Sequence, residues 1–295
     1  MEYPETMQDF IDRFATDAAC RRYIAEVRWG GTPICPHCRG SGLWAVRRNV
    51  LQCKKCRRDV SITAGTVFGD SRIPLRLWFQ ALWCLVQQKQ GVSALGLARV
   101  LGITRYETAW YLLRRIRGAM VRSGRERLSG LVEVDEVFLG GVRPGKRGRG
   151  ALGKVLVLVA VEDKGRAGFG RIRIAVIPNA SAPSLRKAIE AVIEPGSTVR
   201  TDEWSGYPSI TKHGYSHIVV KGNVSMPGED PTALVHRVAS LLKRWLLGTH
   251  HGRVEETHLA SYLNEFVFRF NRRRSHSRGM LFYRLVQQMT GASQR

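Results

Sequence analysis

Leu131-Val-Glu-Val-Asp-Glu-Val-Phe-Leu-Gly-Gly141 is the stretch on which the reading of this chain turns. Val132, Val134 and Phe138 alternate with acidic residues at a period of two, the pattern of a strand with one packed face, and the glycine pair ends it. Acids on a strand that belongs to an interior need a reason. A lone buried carboxylate is costly, so such a group is ordinarily paired, hydrogen-bonded or bound to a cation. Asp135, at the centre, is the candidate; the competing reading is an edge strand whose acidic face meets water.

Downstream the texture is one of further strands. Residues 154–162 and 170–178 read as a second and a third, joined by Arg143-Pro-Gly-Lys-Arg-Gly-Arg-Gly150 and by a turn near Lys164-Gly165. Such close connections favour an antiparallel meander. Ser181 to Ile193 reads as a helix with Leu185, Ile189 and Val192 on one side, ended by Pro195-Gly196. A fourth strand, Thr198-Val-Arg-Thr201, runs into Asp202-Glu-Trp-Ser-Gly-Tyr207, and the intervening helix lets it lie parallel to the first strand and beside it. A short helix, a fifth strand at 217–221, a polar loop and two long helices complete the chain. This is the element order of an RNase H-like α/β fold, in which Asp135 and Asp202 become neighbours. Two such carboxylates repel each other unless a cation lies between them, and magnesium with oxygen ligands fits. A pair of ions about 3.5 to 4 Å apart activates an attacking water or hydroxyl and stabilises the leaving oxygen of a phosphodiester.

Upstream, the chain reads as nucleic-acid machinery. Forty-seven Lys and Arg against 24 Asp and Glu give a formal charge of +23 over 295 residues, which self-repels unless a polyanion is the partner. A membrane surface is the competing partner, but no apolar run approaches the ~20 residues that span a bilayer. The longest, Val155 to Val161, fits a strand. The N-terminus lacks the features of a signal peptide, which places the protein in the cytoplasm. Cys35-x-x-Cys38 and Cys53-x-x-Cys56 carry the spacing of a zinc ribbon in a reducing compartment, while Cys20 and Cys84 stand in apolar helical contexts and read as core. Between the knuckles, residues 42–46 and 50–52 form strands about a turn at residues 47–49. Arg39, Arg47, Arg48, Lys54, Lys55, Arg57 and Arg58 surround them, either as a solvated surface or as phosphate contacts.

Before the ribbon, Phe10, Phe14, Ala18 and Tyr23 predict one amphipathic helix over residues 6–27. After it comes a Trp-rich helix over 74–88, then a helix over 93–101, a Gly102-Ile103 turn, and a second helix opened by Thr104-x-x-Glu107 in the form of a capping box. This is a helix-turn-helix outline, with Arg105 at the start of the second helix where DNA would be read and Arg114, Arg115 and Arg117 further along. Short helix pairs also occur in proteins that never touch DNA.

The zinc ribbon, the helix-turn-helix, the Val-Asp-Glu strand and Arg-Thr-Asp-Glu-Trp-Ser-Gly-Tyr are followed by Ser240-Leu-Leu-Lys-Arg244, Gly248-Thr-His-His251 and Tyr262-Leu-Asn-Glu-Phe-x-Phe-Arg-Phe-Asn-Arg272. In this order the chain resembles the insertion-sequence transposases of the ISXO-like family, a branch of the DDE superfamily, from about Phe10 to Gln287. The resemblance implies that Asp135 and Asp202 are the first two metal ligands, and that transposon ends are cleaved before the freed 3'-hydroxyl attacks target DNA. The third ligand departs from the pattern. Where the family has an acid or amide seven residues before the lysine, this chain has His236 before Lys243. Asp230-Pro231 is a good helix start, so residues 236 and 243 sit two turns apart on one face. His236 then completes the site, with some preference for manganese, and Lys243 holds a phosphate. Alternatively His236 is an ordinary surface residue, and the third ligand is Glu229, Glu256 or Glu265 or is missing.

Glu265, Arg269 and Arg272 share a helix face, and Asn271-Arg-Arg-Arg-Ser-His-Ser-Arg278 reads as a DNA-backbone contact or a solvated tail. Trp204 is a core lid or a stacking platform for a base. The expected organisation is an N-terminal helix (1–28), a zinc ribbon (29–70), a helical DNA-binding unit (71–125), the catalytic domain (126–250) and a C-terminal helix with a basic tail (251–295). The expected function is a DNA transposase with structural Zn2+ and catalytic Mg2+ or Mn2+, acting on double-stranded DNA as a homodimer or higher oligomer. The contacts expected to hold DNA are Arg47, Arg48, Arg57, Arg58, Arg105, Lys243, Arg269 and Arg272. The alternatives are a DNA-binding regulator with a decayed site and a nuclease or resolvase of the same fold.

Overall fold

The computed structural model describes residues 2–47, 50–122, 124–140, 154–220, 232–250 and 256–291. Arg48, the loop at 143–150, Glu229 and the Asp230-Pro231 helix start lie outside the described residues, as does the side chain of Glu256. The chain divides into two compact units, residues 1–123 with 275–295, and residues 124–274.

The first unit opens with two helices, α1 (Met7–Arg13) and α2 (Asp17–Trp29), where one was expected. The break is local chemistry. Thr16 is extended and its hydroxyl accepts the amide of Ala19, so a second helix is capped where the first would have continued. The ribbon follows as β1 (Leu43–Arg47), β2 (Val50–Cys53) and β3 (Asp59–Ser61), the last strand being one the alternation did not reveal. Three residues are too few to show a period.

Helix α3 (Leu75–Gln87) carries Trp78, Phe79, Leu82 and Trp83 fully inside. Helices α4 (Ala94–Leu101) and α5 (Tyr106–Ala119) form the expected pair, but the capping box does not form. Gly102 takes the left-handed conformation and Ile103 N–H returns to Ala98 C=O at 2.9 Å. This exit leaves Thr104 ahead of the helix, and Arg105 occupies the cap position with no side-chain bond.

In the second unit β4 (Leu131–Leu139), β5 (Val155–Asp163) and β6 (Phe169–Ile177) form an antiparallel meander. After α6 (Ala182–Val192), β7 (Thr198–Thr201) pairs parallel to β4, and β8 (Ser216–Val219) pairs parallel to β7. The sheet order is therefore β6-β5-β4-β7-β8, mixed in direction, with β4 at the centre.

That position rules out the water-facing edge for β4: both of its faces are covered. Val132 and Val134 pack with Leu185, Ile189 and Val192 of α6, while Val137 and Leu139 join an apolar cluster with the remaining helices of the unit. Those helices are α7 (Ala233–His250) and α8 (Glu256–Asn271). Asp135 and Glu133 alternate with Val137 on the face toward α7, so their acids lie between sheet and helix. On edge strand β6, Asn271 satisfies backbone in the manner of another strand, accepting from Ile172 N–H at 2.7 Å and donating to its C=O at 3.1 Å.

The chain closes with α9 (Arg278–Thr290), a third C-terminal helix where two were expected, capped by Ser277. It belongs to the first unit, where Phe282 packs among Phe10, Phe14, Phe79 and Trp83. The expected 251–295 segment is thus divided between the two units.

Candidate active site and metal centre

The four ribbon cysteines meet. Their Sγ atoms all lie within 4.8 Å of one another, with Cys35 to Cys56 at 3.7 Å and Cys38 to Cys53 at 3.6 Å, and none forms a disulfide. A tetrahedral zinc with Zn–S near 2.3 Å places its sulfurs about 3.8 Å apart, so the cage fits a structural Zn2+. The knuckles are built alike. Arg39 N–H returns to Cys35 C=O and Arg57 N–H to Cys53 C=O, with Arg39 and Arg57 left-handed at φ 55° and 60°. Amides of Cys56 and Lys55 directed at Cys53 lower its thiol pKa, while desolvation and the neighbouring sulfurs raise that of Cys56.

On the sheet, β4 and β7 pair in parallel as far as Glu133 opposite Arg200. β7 ends at Thr201, so Asp202 is the exposed residue that follows the strand, near enough to Asp135 for its charge to act there. Asp135 is mostly buried, and burial pushes its carboxyl up. The Glu136 amide, which donates to Asp135 Oδ1 at 2.7 Å, pulls it down, as does His236, while the charge of Asp202 raises it again. From α7, His236 Nε2 reaches to 3.3 Å from Asp135 Oδ2, with its side chain half-exposed. Lys243 lies two turns further along α7 and is exposed. Among the described residues, however, only the cysteines bring three or more ligand atoms within 4.8 Å of one another; Asp135, Asp202 and His236 approach without closing to that distance.

Several supporting residues escaped the sequence reading. Glu133, 3% exposed, accepts from the amides of Leu234 and Val235 at 3.0 and 3.2 Å and from Arg200 at 3.0 Å. Thr201 donates to Asp202 C=O at 2.7 Å and lies 2.9 Å from His217 Nε2, whose pKa is lowered by burial. Tyr207 is wholly buried, and burial together with the nearby Glu136 carboxylate keeps its hydroxyl protonated. The available signal was spacing: Glu133 stands two residues before Asp135, and Arg200 two before Asp202.

Other expected residues are engaged elsewhere. Glu265, fully buried, pairs with Arg269 at 2.8 Å. Arg272 stacks over Phe268 at 4.0 Å, and Arg273 and Arg274 donate to carbonyls of residues 167–170, so the basic run contributes to the fold. Arg115 and Arg117 likewise turn inward, to Val67 C=O and Val92 C=O. Arg57, Arg58 and Arg105 are exposed, and Arg47 pairs with Asp59 at the surface. Trp204 donates from Nε1 to Ala180 C=O at 2.9 Å and packs on the α6 side of the sheet, which makes it a lid over the core.

A four-cysteine ribbon and a mixed α/β unit with one aspartate on its central strand and another just past the neighbouring strand define a two-part, zinc-binding class of protein. The description of an ISXO2-like transposase domain matches residues 127–271, and that of a transposase zinc-ribbon domain matches residues 15–59. The chain belongs to the ISXO2-like transposase family. An uncharacterized protein in transposable element ISH50 of Halobacterium salinarum is 25% identical over 281 residues, covering 88% of this chain and 92% of its own. The catalytic core domain of BIV integrase aligns at 17% identity over 46% of this chain and 81% of its own, with a TM-score of 0.31. Among the described residues, no helix is long and apolar enough to cross a membrane.

Proposed function

We propose that this chain is an active DNA transposase, with an RNase H-like second unit that cleaves and joins DNA strands in a metal-dependent reaction. The observation that carries this reading is the approach of His236 to Asp135, whose carboxyl also feels the charge of Asp202. Two carboxylates and an imidazole form a donor set for Mg2+ or, with nitrogen present, Mn2+. When bound, such an ion supplies Lewis-acid activation of the phosphodiester and its nucleophile.

The chain's own residues do the rest. Asp135 and Asp202 supply the negative charge, and Thr201 fixes the backbone at Asp202. Lys243, on the exposed face of α7, holds the scissile or adjacent phosphate. The α4–α5 pair acts as a helix-turn-helix, presenting Arg105 to the terminal inverted repeats, and the ribbon's exposed Arg39, Lys54, Lys55, Arg57 and Arg58 grip the backbone. Two ends are brought together by a homodimer or larger oligomer.

The test is nicking and strand transfer on duplexes carrying the inverted repeats that flank the gene, with Mg2+ or Mn2+. Asp135→Asn and Asp202→Asn abolish both reactions and leave the gel shift intact, and His236→Ala reduces cutting. Undiminished cutting by His236→Ala with Mn2+ would remove that residue from the site. A wild-type chain that shifts DNA and never nicks it would mark a regulator.

A further inference from the structure

The buried Glu133 has no access to substrate, yet it touches the helix that carries His236 and the strand that leads into Asp202, and shares β4 with Asp135. It lies on β4 two residues before Asp135, so period-two alternation points both carboxylates to the α7 face. Its Oε2 accepts the amides of Leu234 and Val235, in the first turn of α7, and the next residue is His236. Its Oε1 accepts Arg200 Nη1 at 3.0 Å, and the same nitrogen donates to Asp163 at 3.1 Å. Arg200 stands two residues before Asp202 on β7.

We infer that Glu133 is a positioning residue that sets His236 against Asp135 by clamping the amino end of α7 to β4. A carboxylate is suited to this because a helix start presents unsatisfied N–H groups and a positive dipole end. Arg200 aims the carboxylate, its Nη1 donating to Oε1 and leaving Oε2 to the two helix amides. Two successive same-face acids on one strand thus hold two successive stretches of one helix, Glu133 by backbone and Asp135 by side chain. The inference rests on His236 being a metal ligand.

The experiment measures Mn2+ binding to the full-length, zinc-saturated chain by electron paramagnetic resonance, in Glu133→Gln, His236→Ala and the double variant. Glutamine keeps the shape but turns an NH2 toward Arg200 or the helix amides. Groups that orient metal ligands are typically worth 10- to 100-fold in affinity. We expect Glu133→Gln to weaken Mn2+ about 10-fold or more, His236→Ala to weaken it at least as much, and the double variant to lose no more than His236→Ala alone, as for residues acting through one contact. Should melting show Glu133→Gln unfolded, Glu133→Asp, which keeps the charge and shortens the reach, carries the same comparison. Unchanged or additive binding in the Glu133 variants overturns the clamp while leaving the site reading intact. If His236→Ala itself binds Mn2+ normally, the site reading fails and the clamp with it.

Discussion

Asp135 is held against its own chemistry. Burial and the charge of Asp202 raise its pKa, and the Glu136 amide and His236 only partly relieve it. The folded state therefore binds this proton more tightly than the unfolded chain, and by linkage stability falls as pH rises from the unfolded pKa through the folded one. Above the folded pKa the full penalty is present. In metal-free buffer Asp135→Asn should therefore raise Tm while abolishing cleavage, and Mg2+ or Mn2+ should raise the Tm of wild type more than that of the variant. A lower Tm for Asp135→Asn would show that the carboxylate is not under strain. Gly279 is a steric counterpart. A Cβ there would run into Pro4 C=O, so Gly279→Ala should cost about 1–3 kcal/mol in urea unfolding through forced backbone shifts. Asp135 could be read from sequence because an acid amid alternating valines needs an explanation. Glu133 in the same stretch could not be given a role, because its partners lie about 100 residues away on α7.

At the scale of elements, the meander, the crossover helix and the strand ending at Asp202 were legible, because each has an unambiguous period and short connections. Helix starts were less so. Thr104 and Glu107 have the composition of a capping box, yet the left-handed exit at Gly102 moves the start of α5 to Tyr106. The break at Thr16 had the same kind of local cause, a hydroxyl taking an amide in preference to helix continuation. The ribbon is the element most dependent on a ligand. Its strands span 5, 4 and 3 residues, and among the described residues its core is Cys35, Cys53 and Val60 buried, with Trp29, Leu43 and Leu51 partly buried against them. Without zinc so small a core cannot offset its conformational entropy. Cys56→Ser should therefore lose amide-exchange protection over residues 43–61 and retain it over the strands at residues 131–177. Protection kept in the ribbon would mean that the metal is dispensable there.

Over the whole molecule the excess of 23 positive charges sets the mode of association. Several arginines expected to meet DNA are engaged within the fold, and the exposed ones concentrate on the ribbon and at the start of α5. If binding rests on 6–10 phosphate contacts, affinity for duplex DNA should fall about 10³- to 10⁵-fold between 50 and 200 mM salt. A flat salt dependence would contradict a grip on the backbone. The sharpest test concerns the aspartates themselves: a crystal of the full-length chain soaked in Mn2+ and measured for anomalous scattering. The account predicts a manganese peak between Asp135 and Asp202, within about 2.0–2.4 Å of a carboxylate oxygen of each, with His236 turned toward it. Manganese bound elsewhere, or aspartates that share no ion at saturating Mn2+, would contradict it.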